Sequence, residues 1–232
     1  MIRAIIFDFN GVVADDETPH VTCFRQALAE SGLSLTAEEY YDAYLGMDER
    51  TCAAHLLRVR DGVVSGTDLE RIASRKAELF RTYTAEHRPA LFPGIVEFVA
   101  AATPCYRLAI ASGGRRQQID DALAGTSIEG AFELILSAED CPSGKPDPAI
   151  YLLALARLNQ ASGETSGLTA RECLVIEDSL AGIQSAKAAG MWVLALSTTY
   201  PPEKLNEADL VLPRLQSVTP EILVGLLAQI RH

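Results

Sequence analysis

Two kinds of hydrophobic pattern alternate along the chain. Residues 2–8 are almost continuously apolar, and three more such runs follow at Tyr106-Arg107-Leu108-Ala109-Ile110-Ala111, Glu133-Leu134-Ile135-Leu136 and Cys173-Leu174-Val175-Ile176. Trp192-Val193-Leu194-Ala195-Leu196 and Leu210-Val211-Leu212 read as a fifth and a sixth. Short runs with no polar side are the signature of strands buried on both faces of a parallel sheet. Between them, apolar residues recur with a helical period, as at Ile95, Phe98, Val99 and Ala102 after the Phe92-Pro93-Gly94 turn. Asp147 and Pro148 supply an N-cap and a first-turn proline for a helix over Ile150 to Leu158, and Thr219-Pro220-Glu221 opens a last helix in the same way. Strands alternating with helices predict an α/β fold on a doubly wound, mostly parallel sheet.

Residues 16–87 depart from this pattern, because no strand run occurs there. Val21, Phe24 and Leu28 mark one amphipathic helix. Thr36-Ala37-Glu38-Glu39 and Thr67-Asp68-Leu69-Glu70 have the spacing of capping boxes and start two more. Cys52, His55, Leu56 and Val59 predict a helix between them, with His55 packed on its apolar face. In the last helix Leu69, Ile72, Lys76, Leu79, Phe80 and Tyr83 share a face, and Lys76 is its odd member. The expected organisation is therefore a Rossmann-like core of residues 1–15 and 88–232 carrying an inserted α-helical cap at 16–87. Residues 160–169, rich in Ser, Gly and Thr, read as a surface loop.

Composition narrows the class. A chain of 232 residues buries roughly 70–75% of its unfolded surface. With 48% hydrophobic and 22% charged residues it has the make-up of a globular protein. Its apolar stretches are broken within about ten residues, against the ~20 that a bilayer span requires. Met1 to Asp8 enters an apolar run at once, without the design of a cleavable signal. These features predict a cytoplasmic protein, monomeric or weakly dimeric, that contacts no membrane. Twenty basic against 31 acidic residues leave a net charge of −11, which repels nucleic acid. An anionic substrate would then need a metal ion or a focused group of cations. Five cysteines without C-x-x-C spacing are expected to be reduced and buried.

Ligands of open α/β sheets sit beyond the carboxyl ends of the strands. The first run ends in Asp8-Phe9-Asn10-Gly11-Val12, and the one beginning near Tyr106 ends in Ser112-Gly113-Gly114. The third is followed by Gly144-Lys145-Pro146-Asp147-Pro148, and the run containing Val175 ends in Glu177-Asp178-Ser179. Each piece alone has a plain alternative: a solvated strand end, a turn, or acids that complement a helix dipole. Together, and in this order, carboxylate, hydroxyl with glycines, lysine and carboxylate pair fit a magnesium-assisted phosphoryl-transfer site.

With these four motifs, nearly the whole chain resembles the haloacid dehalogenase superfamily of phosphatases and phosphomutases. The run Ile176-Glu177-Asp178-Ser179-Leu180-Ala181-Gly182-Ile183 and the helical insertion are similar to its β-phosphoglucomutase and sugar-phosphatase branch. The resemblance implies that Asp8 is the nucleophile of an aspartyl-phosphate intermediate. It implies Mg²⁺ held by Asp8, the carbonyl of Asn10 and Asp178, with Glu177 in or near the shell. Ser112, Gly113 and Lys145 would hold the transferring phosphoryl oxygens. The implied partner is a small phosphorylated metabolite, and the implied reaction is hydrolysis of a sugar phosphate or, alternatively, a phosphosugar mutase reaction.

Position 10 departs from the family pattern. Phosphatases and mutases of this superfamily usually carry Asp two residues after the nucleophile, as general acid and base. Asn10 cannot give up a proton at pH 7, and losing a positioned acid–base group typically costs ~10²–10⁴ in rate. Three alternatives stand: another acid or an easy leaving group, a phosphometabolite-binding protein with a retired site, or replacement of an original aspartate. His20 and Asp15, in the Asp15-Asp16-Glu17-Thr18-Pro19-His20 crossing to the cap, are the first candidates for a substitute, against plain hinge bonding and capping. Tyr44-Leu45-Gly46-Met47-Asp48-Glu49-Arg50 resembles the branch's specificity loop, in which Arg50 would reach a second anionic group; the alternative is a solvated arginine after a glycine turn. Arg115 and Arg116 either steer an anion or form an exposed first helical turn.

Overall fold

The computed structural model describes residues 1–44, 49–162 and 167–230. From the N-terminus, β1 (Ala4–Phe7) leads through a two-residue strand, β2 (Ala14–Asp15), into α1 (Glu17–Glu30), α2 (Ala37–Ala43), α3 (Glu49–Asp61) and α4 (Gly66–Glu86). A second short strand, β3 (Ala90–Leu91), pairs antiparallel with β2 where the chain returns. Then follow α5 (Ile95–Ala102), β4 (Arg107–Ala111), α6 (Arg116–Leu123), β5 (Leu134–Leu136) and α7 (Ala149–Ser162). The chain ends through β6 (Cys173–Glu177), α8 (Leu180–Ala188), β7 (Trp192–Leu196), β8 (Leu210–Leu212) and α9 (Pro220–Ile230).

Six strands form one sheet in the order β5-β4-β1-β6-β7-β8, and every pairing in it is parallel. Side chains alternate through β1 into two cores: Ala4 and Ile6 on one face, Ile5 and Phe7 on the other. Both faces are covered, as an all-parallel sheet requires. Strand order reverses around β1, whose neighbours β4 and β6 lie on opposite sides, so the crevice of the fold opens beyond its carboxyl end. All six expected strands are present.

Several local expectations need correction. The capping box at Thr36 forms as expected, with Glu39 N donating to Thr36 Oγ1 at 3.1 Å and Thr36 N to Glu39 Oε2 at 2.8 Å. The next helix starts earlier than Thr67 indicates. Ser65 caps it, accepting from Asp68 N, because the serine already stands three residues before a backbone N–H with no helical partner. In α3 the buried residues include Cys52, Ala53 and Leu57, whereas His55 and Val59 are exposed. His55 is hydrogen-bonded to the Tyr44 hydroxyl at 2.8 Å and is not packed in the cap core. Helix α7 runs on to Ser162 and takes the first residues of the expected 160–169 loop. Cys105 is exposed, while the other four cysteines are buried. Among the described residues no helix is long and apolar enough to cross a membrane.

Candidate active site

The site begins where β1 ends. Asp8 N donates to Ile176 O at 2.9 Å, which ties the first motif to the strand that delivers Glu177 and Asp178. The chain then turns sharply through Gly11, whose φ of +78° an L side chain rarely adopts. Space makes the same demand, since a Cβ on Gly11 would stand 2.0 Å from Asp178 Oδ2. Lys145, from the segment ahead of α7, reaches the same place. Its Nζ lies 2.7 Å from Asp8 Oδ1 and 2.7 Å from Glu177 Oε1.

Glu177 is wholly enclosed. Its Oε1 also accepts from the Tyr151 hydroxyl at 2.7 Å. Oε2 accepts from Asp178 N, Ser179 N and Ser179 Oγ at 3.0, 3.1 and 3.0 Å. Asp178 Oδ2 accepts from the Thr199 hydroxyl, and Thr198 Oγ1 donates to the Gly11 carbonyl at 2.7 Å. Tyr151, Thr198 and Thr199 carried no expectation, because a tyrosine on an apolar helix face and threonines after a strand look like ordinary core and loop.

Asp8, Glu177 and Asp178 each offer an oxygen within 4.8 Å of the others, all three are buried, and one ammonium faces them. Their acidities record the imbalance. Burial pushes Asp8 up to about 7, with Glu177 adding to the rise and Lys145 opposing it. Asp178 is raised well above the carboxylate range by burial and then by Glu177 and Asp8. Burial also raises Glu177, but Lys145 and the surrounding donors outweigh that and leave it lowered. Three hard oxygen donors with two excess negative charges match the preference of Mg²⁺. On that ground the residues fit such an ion.

A second network meets the first at Asn10. Ser112 Oγ donates to Asn10 Oδ1 at 3.4 Å and accepts from Gly114 N at 3.0 Å. Asn10 Nδ2 donates to the two oxygens of Asp16 at 2.9 and 2.8 Å, and lies 3.1 Å from His20 Nε2. The far ring nitrogen, Nδ1, is 2.5 Å from Lys76 Nζ. An ammonium can only donate, so Nδ1 accepts and Nε2 carries the hydrogen, next to Asp16 Oδ2 at 3.3 Å. Lys76 is 1% exposed, which explains its odd place on the apolar face of α4. Asp15 is exposed on β2; Asp16, one residue on, turns inward to the site.

Asp8, Asn10, His20, Lys76, Lys145 and Asp178 line one cavity between the strand ends and the helices 17–86. An adjoining cavity is lined by Ser112, Gly113 and Lys145 together with Arg50 and Arg115. Arg50 is exposed and ion-paired with Glu70, and Arg116 is exposed and paired with Asp120 at 2.9 Å. Residues 45–48 of the expected specificity loop lie outside the described residues.

Comparison with known proteins agrees with this geometry. A family model described as haloacid dehalogenase-like hydrolase matches residues 2–190. The chain is similar to protein CbbY of Rhodobacter capsulatus, with 30% identity covering 97% of this chain and 99% of that protein. It is 28% identical to a phosphorylated carbohydrates phosphatase of Thermotoga maritima, over 82% of each chain. Among solved structures, the β-phosphoglucomutase of Clostridium difficile superposes with a TM-score of 0.84 at 22% identity, over 99% of this chain and 98% of that one, a likeness of fold.

Proposed function

This chain belongs to the haloacid dehalogenase-like hydrolase family, and within it we propose a magnesium-dependent phosphatase of small phosphorylated sugars that works through a phosphoryl group on Asp8. The observation that carries the reading is the ion pair of buried Asp8 with Lys145, set against Asp178 at the strand ends. The Thermotoga maritima relative's name supports the substrate class.

In this reading an Asp8 oxygen attacks phosphorus, the ester P–O bond breaks, and the sugar leaves as an alkoxide that takes up a proton. Water then attacks the phosphoryl group and releases inorganic phosphate and free Asp8. Lys145, the Ser112 hydroxyl and the Gly113 N–H hold the phosphoryl oxygens, so that two anions can meet in a buried site. Asp8, the Asn10 carbonyl, Asp178 and Glu177 are the candidate holders of Mg²⁺, which when bound offsets the remaining negative charge. Residues 16–87 act as the cap over the 1–15 and 88–232 core, bringing His20 and Lys76 to the site. Arg50 and Arg115 attract an anionic substrate through the −11 field.

Asn10 cannot protonate the alkoxide. His20 Nε2, beside it, bears a hydrogen and takes that role in place of the Asp15 considered from sequence: Lys76 Nζ passes a proton to Nδ1 as Nε2 gives its own to the alkoxide, and the water of the second step returns it. The test is turnover of sugar phosphates and of an aryl phosphate by the parent and Asp8→Ala, with and without Mg²⁺. Magnesium-dependent release of phosphate by the parent and none by Asp8→Ala is expected. Phosphate binding without turnover of either substrate overturns the reading and leaves a binding protein.

A further inference from the structure

A third cavity, of about 410 Å³, lies between α4 and α6. Small-molecule sites commonly measure roughly 300–1,000 Å³. Three arginines line it: Arg81 on α4, Arg88 where the chain returns from that helix, and Arg115 just ahead of α6. Elsewhere in this chain of net charge −11, arginines are met by acids, as Arg50 by Glu70, Arg71 by Asp68, Arg75 by Glu30 and Arg116 by Asp120. The three in the cavity meet no carboxylate among the described residues. Arg115 Nη2 donates to Ala73 O at 3.4 Å. Arg88 Nη2 donates to the carbonyls of Asp121 and Ala122 at 3.3 and 3.2 Å and to that of Ala124. The Arg81 guanidinium has no partner among the described residues. The one carboxylate among the described lining residues, Asp121, already accepts from Gln117 Nε2 at 2.8 Å. An arginine standing alone in water needs no partner, but three around one concave wall build a local positive potential that draws an anion.

We propose that this cavity is a second anion site, separate from the strand ends, which takes the phosphate group of a small metabolite and regulates turnover from outside the catalytic cavity. A guanidinium is always charged and offers its N–H groups in a fixed fork that fits phosphate oxygens. Arg81 and Arg88 reach the anion from the two sides of the α4 end, and the dianion offsets the charge they gather. Two contacts connect the site to the catalytic one. Arg115 also lines the cavity of Ser112 and Gly113, so an occupant here shares a cation with the substrate entrance. Phe80, a wall of the new site, packs against the His20 ring at 4.0 Å and under Lys76 Nζ at 4.7 Å. An anion bridging α4 and α6 therefore fastens the helix that carries Lys76 to the core. The site stands on its own residues, whatever reaction the strand ends perform.

The test maps backbone amide shifts by NMR in the full chain while inorganic phosphate, or a hydroxyalkyl phosphonate whose P–C bond is not hydrolysed, is titrated in the presence of Mg²⁺. Amides of residues 77–89 and 115–122 are expected to shift with a dissociation constant of their own, distinct from that of any shifts at residues 8–11 and 112–114. Arg81→Glu places a carboxylate between the remaining arginines. It is expected to weaken the α4–α6 response by at least about tenfold, the loss of a charge-assisted hydrogen bond, and to leave shifts at residues 8–11 as in the parent. Arg81 is exposed, and thermal melting confirms that the variant is folded. Tighter binding of the phosphonate than of phosphate supports the site with an organic phosphate as occupant, and equal binding supports it with free phosphate. Shifts confined to the strand ends in the parent, or an α4–α6 response that survives Arg81→Glu, overturn the site. An occupied site that leaves the KM and kcat of the parent unchanged overturns its regulatory role.

Discussion

Asn10 shows how one side-chain atom separates binding from chemistry. Its side-chain Nδ2 donates to both oxygens of Asp16, and its side-chain Oδ1 accepts from Ser112, so the side chain is fully used as a connector. What it lacks is a proton to give. With His20 supplying that proton, Asn10→Asp is expected to change turnover of alkyl phosphates by less than about tenfold; a gain on the order of 10²-fold confined to alkyl phosphates overturns His20 as the donor, because only the alkoxide needs protonation as it leaves. Asn10-Gly11 is also prone to deamidation, so the kinetics need peptide mass spectra of the same batch. A fully amidated parent that hydrolyses alkyl phosphates as fast as the variant removes position 10 from the proton path.

At the scale of elements, α4 carries a buried ammonium across an otherwise apolar contact. Lys76 packs over the Phe80 ring at 4.7 Å, and the His20 ring lies 4.0 Å from the same phenylalanine. Removing one partner of a buried polar pair leaves the other unsatisfied, and Lys76→Met takes the donor from His20 Nδ1 and the favourable charge from buried Glu17. Lys76→Met should therefore lower the melting temperature. Turnover should fall at least about tenfold, since His20 Nδ1 loses the donor that fixes its tautomer. A variant that loses stability while keeping its rate would make Lys76 a structural residue only.

For the whole molecule, the excess of buried carboxylate couples protons to the metal. The native pKa values of Asp8 and Asp178 both lie above their unfolded ones, for Asp8 at about 7, so from about pH 4 to 7 the native state binds more protons at Asp8 than the unfolded chain does, and Asp178 acts in the same direction. Through that window this pair's contribution to metal-free stability is present at low pH and is lost as pH rises. Mg²⁺ needs the deprotonated oxygens. The rise in melting temperature on adding saturating Mg²⁺ should thus be larger at pH 8 than at pH 5.5. A magnesium shift that is flat across this range removes Asp8 and Asp178 as the competing proton sites.

The six strands, the four helices between β2 and β3, and the four strand-end motifs were legible in the sequence. Their signals are local: an unbroken apolar run, a helical period, and a polar residue directly after a strand. Lys76 was visible as a charge on an apolar face, but its partner His20 lies 56 positions away. Ser65 was missed as the cap of α4 because Thr67 offered the same chemistry two residues later. Asp15 and Asp16 could not be told apart until the β2–β3 ribbon set which of them faces inward. Tertiary structure alone brought Tyr151 to Glu177 and Thr199 to Asp178, and so gave two adjacent acids unequal partners. Sequence spacing along one strand makes neighbours of Glu177 and Asp178; the donors that distinguish them arrive from other elements, through contacts no local pattern encodes.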